Sequence, residues 1–213
     1  MRAGKTFYGL ALAAVAAVAG CADGARAPTE ATPATSRIAA HRGASGSQVT
    51  TVSGDTVTDV ITLRADRGGD FRLGGQHWIH FPESAVCDPA TSSYGPGEWD
   101  APCRPVKGQV RITAVSYRDA SGHPRVDFSP ELRFVSGRKS NDWVYLALAD
   151  STAAAWAQPV INYCGPDGGC VDESVSDASL VTHKSLKHGL VFRRIKHFSG
   201  YMISAGRTEL DAL

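Results

Sequence analysis

Two histidines three residues apart, His77 and His80, are the side chains best suited by type to bind a metal ion or to transfer a proton. Imidazole is a frequent zinc ligand and titrates near neutral pH. In a strand, however, residues three apart point to opposite faces of the sheet, and no cysteine pair has the close spacing of a structural zinc site. We therefore predict no metal ion and no cofactor. An exported hydrolase or metalloenzyme that uses His77, His80 and nearby carboxylates is the alternative hypothesis.

Serine chemistry has less support in the sequence. No G-x-S-x-G motif is present. Ser136 and Lys139 form an S-x-x-K pattern, but the S-D-N and K-T-G motifs that accompany it in penicillin-binding folds are missing. Gly137 lies between the two residues in a polar segment typical of a turn. We predict a solvated hairpin loop there and assign no catalytic residue.

Several carboxylates lie in and after the segment between Cys164 and Cys170. They could supply the oxygen ligands that calcium prefers, but their spacing does not match the alternating ligands of an EF-hand loop. A solvated acidic loop is therefore expected. The carboxylates are Asp167, Asp172, Glu173 and Asp177.

The segment from His183 to His197 is rich in Lys, Arg and His and contains no carboxylate. In one interpretation it binds an anionic envelope polymer, a lipid headgroup or an acidic partner, more strongly as its histidines gain charge at lower pH. In the other, its charged residues are only the outward face of a hairpin whose inward residues are Leu190, Phe192 and Ile195. The candidate contact residues of this segment are Arg193, Arg194, Lys196 and His197.

Two aromatic residues, Tyr94 and Trp99, lie between Cys87 and Cys103 in a segment rich in Gly and Pro. A ring that projects from a disulfide-held loop is suited to contact a glycan or a protein, because stacking and apolar burial need a rigid ring. The same rings could instead cover the end of the domain. The sequence does not decide between these two interpretations.

Short apolar segments alternate with Gly, Pro, Asn and Asp from Val49 onward, and no long segment has a helical period. This pattern indicates an all-β fold, a single antiparallel β-sandwich over residues 49–208. The one helical segment expected is a turn or so within Asp150–Gln158. We predict that Trp78 and Trp143 are core residues. The candidate strands are Asp59–Ala65, Asp70–Leu73, Gln76–Phe81, Gly108–Tyr117, Glu131–Val135, Trp143–Leu148, Val160–Tyr163, Ser179–His183, Gly189–Ile195 and Tyr201–Ala205.

Three short segments resemble the β-sandwich domain shared by netrin receptors, ankyrins and zonula-occludens scaffolds, in a bacterial lipoprotein form. They are GGQHWIHFPESAV at 74–86, VDFSPELRF at 126–134 and IKHFSGYMISAG at 195–206. The likeness extends over about residues 68–206. It departs from the family pattern at Ser84, where the family has glycine, and in the insertion between Cys87 and Cys103. The resemblance implies a non-enzymatic interaction or packing module with no catalytic residues to transfer.

Residues 18–21, Val-Ala-Gly-Cys, end an N-terminal apolar run and resemble the lipobox of bacterial lipoproteins. The run Phe7–Val18 is long enough for the apolar region of a signal peptide but short for a transmembrane helix. The resemblance implies cleavage before Cys21, a lipid on Cys21 and attachment to the extracytoplasmic side of the cell envelope. Ala22 stands where an aspartate would retain such a protein at the inner membrane, which implies the outer membrane if the host has one.

Residues 21–48 are dominated by Ala, Thr, Ser, Gly and Pro without apolar periodicity. Such a segment buries too little apolar surface to offset the entropy of ordering it, so we predict a flexible tether between lipid and domain. The chain has 22 basic and 21 acidic residues, and loss of Arg2 and Lys5 with a signal peptide at 1–20 leaves 20 and 21. A nearly neutral protein is not expected to bind nucleic acid, which requires clustered positive charge.

If Cys21 carries the lipid, the other four of the five cysteines form an even set in an oxidising compartment. We therefore predict disulfides. Local pairs, Cys87 with Cys103 and Cys164 with Cys170, would close two loops rich in Gly and Pro. Four cysteines allow three pairings, so the connectivity stays open at this point.

Together these patterns predict a lipid-anchored cell-envelope interaction module without catalysis. Its predicted partners are the membrane, through the lipid, and an envelope protein or a glycan. The contact surface expected first is the loop with Tyr94 and Trp99, and the strand from Arg193 to His197 is expected second. A purely structural envelope protein without a specific ligand is the other alternative.

Overall fold

The structure, a computed structural model, describes residues 37–43, 45–136 and 142–206, with the backbone alone for residues 37–42. The predicted signal peptide and Cys21 lie outside these residues. The strands are β1 (Arg37–Gly43), β2 (Gly46–Ser53), β3 (Thr56–Arg64), β4 (Gly69–Leu73), β5 (His77–Phe81), β6 (Gln109–Arg118), β7 (Pro124–Ser129), β8 (Val144–Ala149), β9 (Pro159–Cys164), β10 (Cys170–Val171), β11 (His183–Ser185), β12 (Leu190–Ile195) and β13 (Gly200–Ala205). The helical segments are α1 (Ser151–Ala155) and the single 3-10 turns Glu173–Val175, Ala178–Leu180 and Leu186–His188.

Two antiparallel sheets form an all-β, sandwich-like fold, and this confirms the predicted fold class. The first sheet has eight strands in the order β1-β2-β3-β6-β7-β13-β9-β10, and the second has five in the order β11-β12-β8-β5-β4. Alternate residues of both sheets enter one apolar core. In β6 these residues are Val110, Ile112 and Ala114, and in β8 they include Val144 and Leu146.

The sheet begins earlier in the chain than the sequence predicts. β1 pairs with β2 along its whole length, and β2 pairs with β3. The predicted domain start at Val49 is therefore too late, because the ladder starts at Arg37. Strand pairing uses backbone N–H and C=O groups, so it can form in a segment whose side chains lack an apolar pattern. The rest of the predicted tether, residues 21–36, lies outside the described residues.

β7, like β1, β2 and the two-residue β10, was not predicted, and two predicted strands are not strands over most of their length. β7 pairs with β6 and β13, and the prolines at and after it, Pro124 and Pro130, are more typical of turns than of a strand. The predicted strand Glu131–Val135 makes only isolated bridges. The predicted strand Ser179–His183 is partly a single 3-10 turn, and regular pairing starts at its last residue.

β12 turns inward a different set of residues from the one predicted, although Ile195 is buried as expected. Val191, Arg193 and Ile195 are buried, whereas Leu190 and Phe192 are half-buried. The side chain of Arg193 is 0% exposed. An arginine is almost never fully buried unless its charge is paired. The position of Arg193 therefore depends on a partner from another part of the chain.

Glu173 is that partner. Its carboxylate accepts hydrogen bonds from Arg193 Nη2 at 2.6 Å and from His197 Nε2 at 2.8 Å, while Arg193 Nη1 donates to the Ile161 carbonyl at 2.7 Å. Burial acts to raise the pKa of Glu173, but the hydrogen bond and charge of His197, together with Arg193, outweigh this effect and lower the pKa. The carboxylate is therefore ionised at neutral pH. It joins β12 to the segment between β10 and β11, and Arg193 extends the link to β9.

Replacement of Glu173 by glutamine should strongly destabilise the fold. Glu173→Gln nearly preserves the shape of the side chain but leaves the Arg193 guanidinium buried without a counter-charge, and such a change costs about 3–5 kcal/mol. We expect a loss of that size in the free energy of unfolding, measured by urea denaturation at pH 7.

Glu83→Gln, the same substitution at an exposed carboxylate, is the control and should change the free energy of unfolding by less than about 0.5 kcal/mol.

Stability should also depend on pH through Glu173. The pKa of Glu173 is lower in the folded than in the unfolded protein, so the ionised carboxylate stabilises the fold above the ordinary value of 4.5. That effect is lost as the pH falls through the folded-state pKa. Below pH 4.5 the wild type should therefore lose stability more steeply than Glu173→Gln. Equal stability of the two variants at pH 7 would contradict the ion-pair assignment.

Candidate functional site

The segment between the first two disulfide cysteines, residues 87–103, folds onto the sandwich and does not project from it. We call it the cysteine loop. Trp99 stacks on His197 with ring centroids 3.8 Å apart and an interplanar angle of 21°. The Tyr94 hydroxyl donates a hydrogen bond to the carbonyl of Phe198. Both rings are half-buried, so they cover the end of the domain. The cysteine loop is therefore a covering loop and not a projecting contact loop.

Both disulfides have the local pairing. The Cα atoms of Cys87 and Cys103 are 5.6 Å apart, and those of Cys164 and Cys170 are 4.0 Å apart. The second disulfide links β9 to β10, just before the segment that carries Glu173. The disulfides therefore close the cysteine loop and tether the start of the acidic segment to the sheet.

A buried cation lies beneath the cysteine loop. Arg133 is 4% exposed, and its guanidinium donates hydrogen bonds to two carbonyl groups of the loop. Ser136 Oγ donates to the carbonyl of Asp100 at 3.0 Å. Lys139, the second residue of the S-x-x-K pattern, lies outside the described residues. Arg133 and Ser136 thus hold the loop against the domain.

Three of the four basic candidate residues lie inside the protein. Arg193 and His197 are 0% exposed and Lys196 is 8% exposed. Lys196 Nζ lies 2.5 Å from a carboxylate oxygen of Asp177 and 2.5 Å from another on the cysteine loop. The prediction that these three residues face a partner is therefore wrong, because their side chains are buried and contact carboxylates within the domain. Arg194, the fourth, is half-buried on the outer face of β12.

The acidic segment supplies the partners of these cations. Glu173 and Asp177 form ion pairs with them, and Asp172 accepts a backbone hydrogen bond at 2.9 Å at the start of a 3-10 turn. Asp167 is exposed, as expected of a solvated loop, but Glu173 is buried. Within the described residues, no group of three or more His, Cys, Asp or Glu side chains is placed to hold a metal ion.

The two histidines of β5 point to opposite faces, as their spacing predicts. His77 is buried, and its Nδ1 accepts a hydrogen bond from the backbone N–H of Ala149 at 2.9 Å. Burial lowers the pKa of His77 to about 4, so its ring is neutral at pH 7. His80 lies on the outer face with Nδ1 2.8 Å from Asp70 Oδ1. The two rings therefore do not converge on one ligand.

The outer face of the five-stranded sheet carries aromatic and basic side chains, and we call this set the aromatic face. The strand register places Arg72 beside Trp78, and Tyr145 beside Arg194. Phe192 precedes Arg194 by two residues and shares its side of β12. The members of the aromatic face are Arg72, Trp78, Trp143, Tyr145, Phe192 and Arg194.

Each arginine of the aromatic face is held near a ring. The guanidinium carbon of Arg72 lies 4.4 Å from the Trp78 ring centroid. That of Arg194 lies 5.3 Å from Trp143 and 5.8 Å from Tyr145, and its Nε donates to the Tyr145 hydroxyl at 3.0 Å. These distances are within the range of cation–π attraction. The contacts restrain both guanidinium groups on the surface of the sheet.

Trp78 is 40% exposed, so its predicted place in the core is wrong. The alternation along β5 is the pattern that would have identified its position. His77, Ile79 and Phe81 share the buried face, which puts Trp78 on the outer one. An exposed indole beside a restrained guanidinium can bind a ligand by stacking and by hydrogen bonds.

No family model, curated protein or solved structure matches this chain. The resemblance to the domain of netrin receptors, ankyrins and zonula-occludens scaffolds therefore stays a prediction. The geometry of the described residues, and above all the aromatic face, is therefore the guide to function.

Replacement of Trp99 by alanine should destabilise the domain. Trp99→Ala removes the ring that stacks on His197 and leaves the buried imidazole and the cysteine loop without that contact. A half-buried aromatic ring of this kind is worth about 1–3 kcal/mol. We expect a decrease of that size in the free energy of unfolding, measured by urea denaturation.

Trp78→Ala is the matched control, since it removes the same ring from an exposed position. It should cost less than about 1 kcal/mol. If Trp99→Ala were no less stable than Trp78→Ala, the covering role assigned to the cysteine loop would be wrong.

Proposed function

We propose that this protein is a lipid-anchored cell-envelope binding module without catalysis, and that it holds a polysaccharide on the aromatic face. The observation that supports the proposal most directly is Trp78, an indole that is 40% exposed on a strand paired on both sides, with the Arg72 guanidinium over its ring. A sugar ring presents C–H groups that stack on an aromatic ring, and hydroxyl groups that hydrogen-bond to neighbouring polar side chains.

The balance of apolar and polar groups favours a polysaccharide over a protein partner. Protein interfaces have a buried apolar centre surrounded by a polar rim. On the aromatic face, Trp78 is the large hydrophobic residue with substantial exposure, and the other rings are half-buried among polar groups. Asp70 and His80 add an acceptor and a donor close to the indole. Such a surface suits a hydrated polymer of sugar rings.

The envelope location is proposed from the N-terminal sequence. The lipobox-like residues 18–21 support lipid attachment at Cys21, on the extracytoplasmic side of a bacterial envelope and at the outer membrane if the host has one. The two disulfides support the same location, because disulfides persist in oxidising compartments. Among the described residues, no helix has the length and apolar character needed to cross a membrane.

Removal of the exposed indole should weaken polysaccharide binding without unfolding the domain. Trp78→Ala takes away the stacking surface, a loss of about 1.4 kcal/mol that corresponds to tenfold weaker binding. The measurement is co-sedimentation of the protein with purified peptidoglycan sacculi, which gives a dissociation constant from a saturation curve.

Val175→Ala is the control, because Val175 is 87% exposed but lies outside the aromatic face. Its binding should equal that of the wild type. Absence of saturable binding would favour the purely structural alternative, and binding that does not depend on Trp78 would place the contact on another surface.

Removal of the lipid attachment site should release the protein from the membrane. With Cys21→Ala expressed in the host, we expect the protein in the soluble extracytoplasmic fraction, whereas the wild type stays with membranes. Peptide mapping by mass spectrometry without reductant should identify a lipid-modified Cys21 at the N-terminus of the wild type. An unmodified N-terminus starting at Met1 would contradict the proposed anchor.

A further inference from the structure

We propose that the polymer held on the aromatic face is an acidic polysaccharide, whose anionic groups are bound by Arg72 and Arg194. This inference rests on the proposed function, since it names the class of polymer bound at the same surface. Three observations carry it: the unpaired charge of the two arginines, their fixed orientation and the distance between them.

Among the described residues, the two arginines differ from Arg193 and Lys196 in having no carboxylate as a counter-charge. Arg193 and Lys196 each contact a carboxylate. Within the described residues, neither Arg72 nor Arg194 forms an ion pair, although His80 on the same face is paired with Asp70. Two cations on one face without carboxylate partners favour an anionic ligand over a neutral one.

The rings determine how the guanidinium groups are presented. Arg72 lies over Trp78, and Arg194 lies near Trp143 and Tyr145 and donates to the tyrosine hydroxyl. These contacts reduce the side-chain freedom that an exposed arginine would otherwise lose on binding. A guanidinium restrained in this way has N–H groups left to bind a carboxylate or phosphate through two parallel hydrogen bonds.

The separation of the two arginines favours an extended ligand. Arg72 is on β4 and Arg194 on β12, with β5 and β8 between these strands. Three strand spacings and an offset of two residues along the strands place the Cα atoms about 16 Å apart. A polymer with repeated acidic groups can span such a distance and contact both arginines, and its rings would cross Trp78, which lies on β5 between the two strands.

Polygalacturonic acid and its fully methyl-esterified form are the probes that test this inference, because they share one backbone and differ in charge. We expect the folded protein to bind the acid at least tenfold more tightly than the ester, in a titration followed by tryptophan fluorescence. Added salt should weaken binding of the acid and leave binding of the ester nearly unchanged.

Single charge-removing variants should then identify the residues that bind the acid. Arg72→Gln and Arg194→Gln should each weaken binding of polygalacturonic acid about fivefold to tenfold, and together by roughly the product, with little effect on the ester. Arg111→Gln is the matched control, since Arg111 is an exposed arginine on β6 of the other sheet. Thermal unfolding by circular dichroism checks that all three variants remain folded.

Failure to bind the acid more tightly than the ester overturns this inference. Trp78-dependent binding to sacculi decides the proposed function separately, so that function can stand when the acidic preference does not. Binding to phosphatidylglycerol vesicles without binding to polygalacturonic acid would assign the arginines to a membrane surface and also overturn the inference. An effect of Arg111→Gln equal to that of Arg72→Gln would show that the attraction is not specific to the aromatic face.

Discussion

The buried carboxylate of Glu173 is the group on which most of the architecture depends. A charge removed from water costs several kcal/mol unless it is paired, and Glu173 pairs with Arg193 while accepting a second hydrogen bond from His197. The two partners lie on β12 and just after it, and Arg193 also bonds to the Ile161 carbonyl on β9. His197 in turn stacks on Trp99. The carboxylate therefore links two sheets, the acidic segment and the cysteine loop.

The same ion pair decides which charges remain available to a partner. Arg193 and Arg194 are adjacent on β12, so their side chains point to opposite faces. Arg193 enters the core because a carboxylate meets it there, and Arg194 lies outside among aromatic rings. The basic segment is thus divided. Arg193, Lys196 and His197 make internal contacts, whereas His183, Lys184, Lys187 and His188 are exposed. To the aromatic face it contributes Arg194, and the other arginine of that face, Arg72, comes from a strand far away in the chain.

The parts of the structure that follow from composition and short-range pattern could be predicted from the sequence. These are the all-β fold, the short helix after Asp150 and the presence of disulfides. The local pairing was one of three pairings that the sequence left open. The start of the sheet at Arg37 could not, because β1 is held by backbone pairing and carries no apolar pattern. The inward face of β12 could not be predicted either, since both sets of alternating residues in that strand include apolar side chains. The choice between them depends on Glu173, which is distant in sequence and enters no local pattern.

The core contacts of β5 and β12 also specify the aromatic face. A slip of one residue in either strand would exchange its two faces. On β5 the slip would bury Trp78 and take His77 away from the backbone N–H that bonds to its Nδ1. Because burial lowers the pKa of His77 to about 4, the ring is a neutral acceptor at pH 7 and this bond is preserved. On β12 the slip would bury Arg194 and separate Arg193 from its carboxylate. The buried polar contacts, more than the exposed residues themselves, therefore determine which rings and cations reach the solvent.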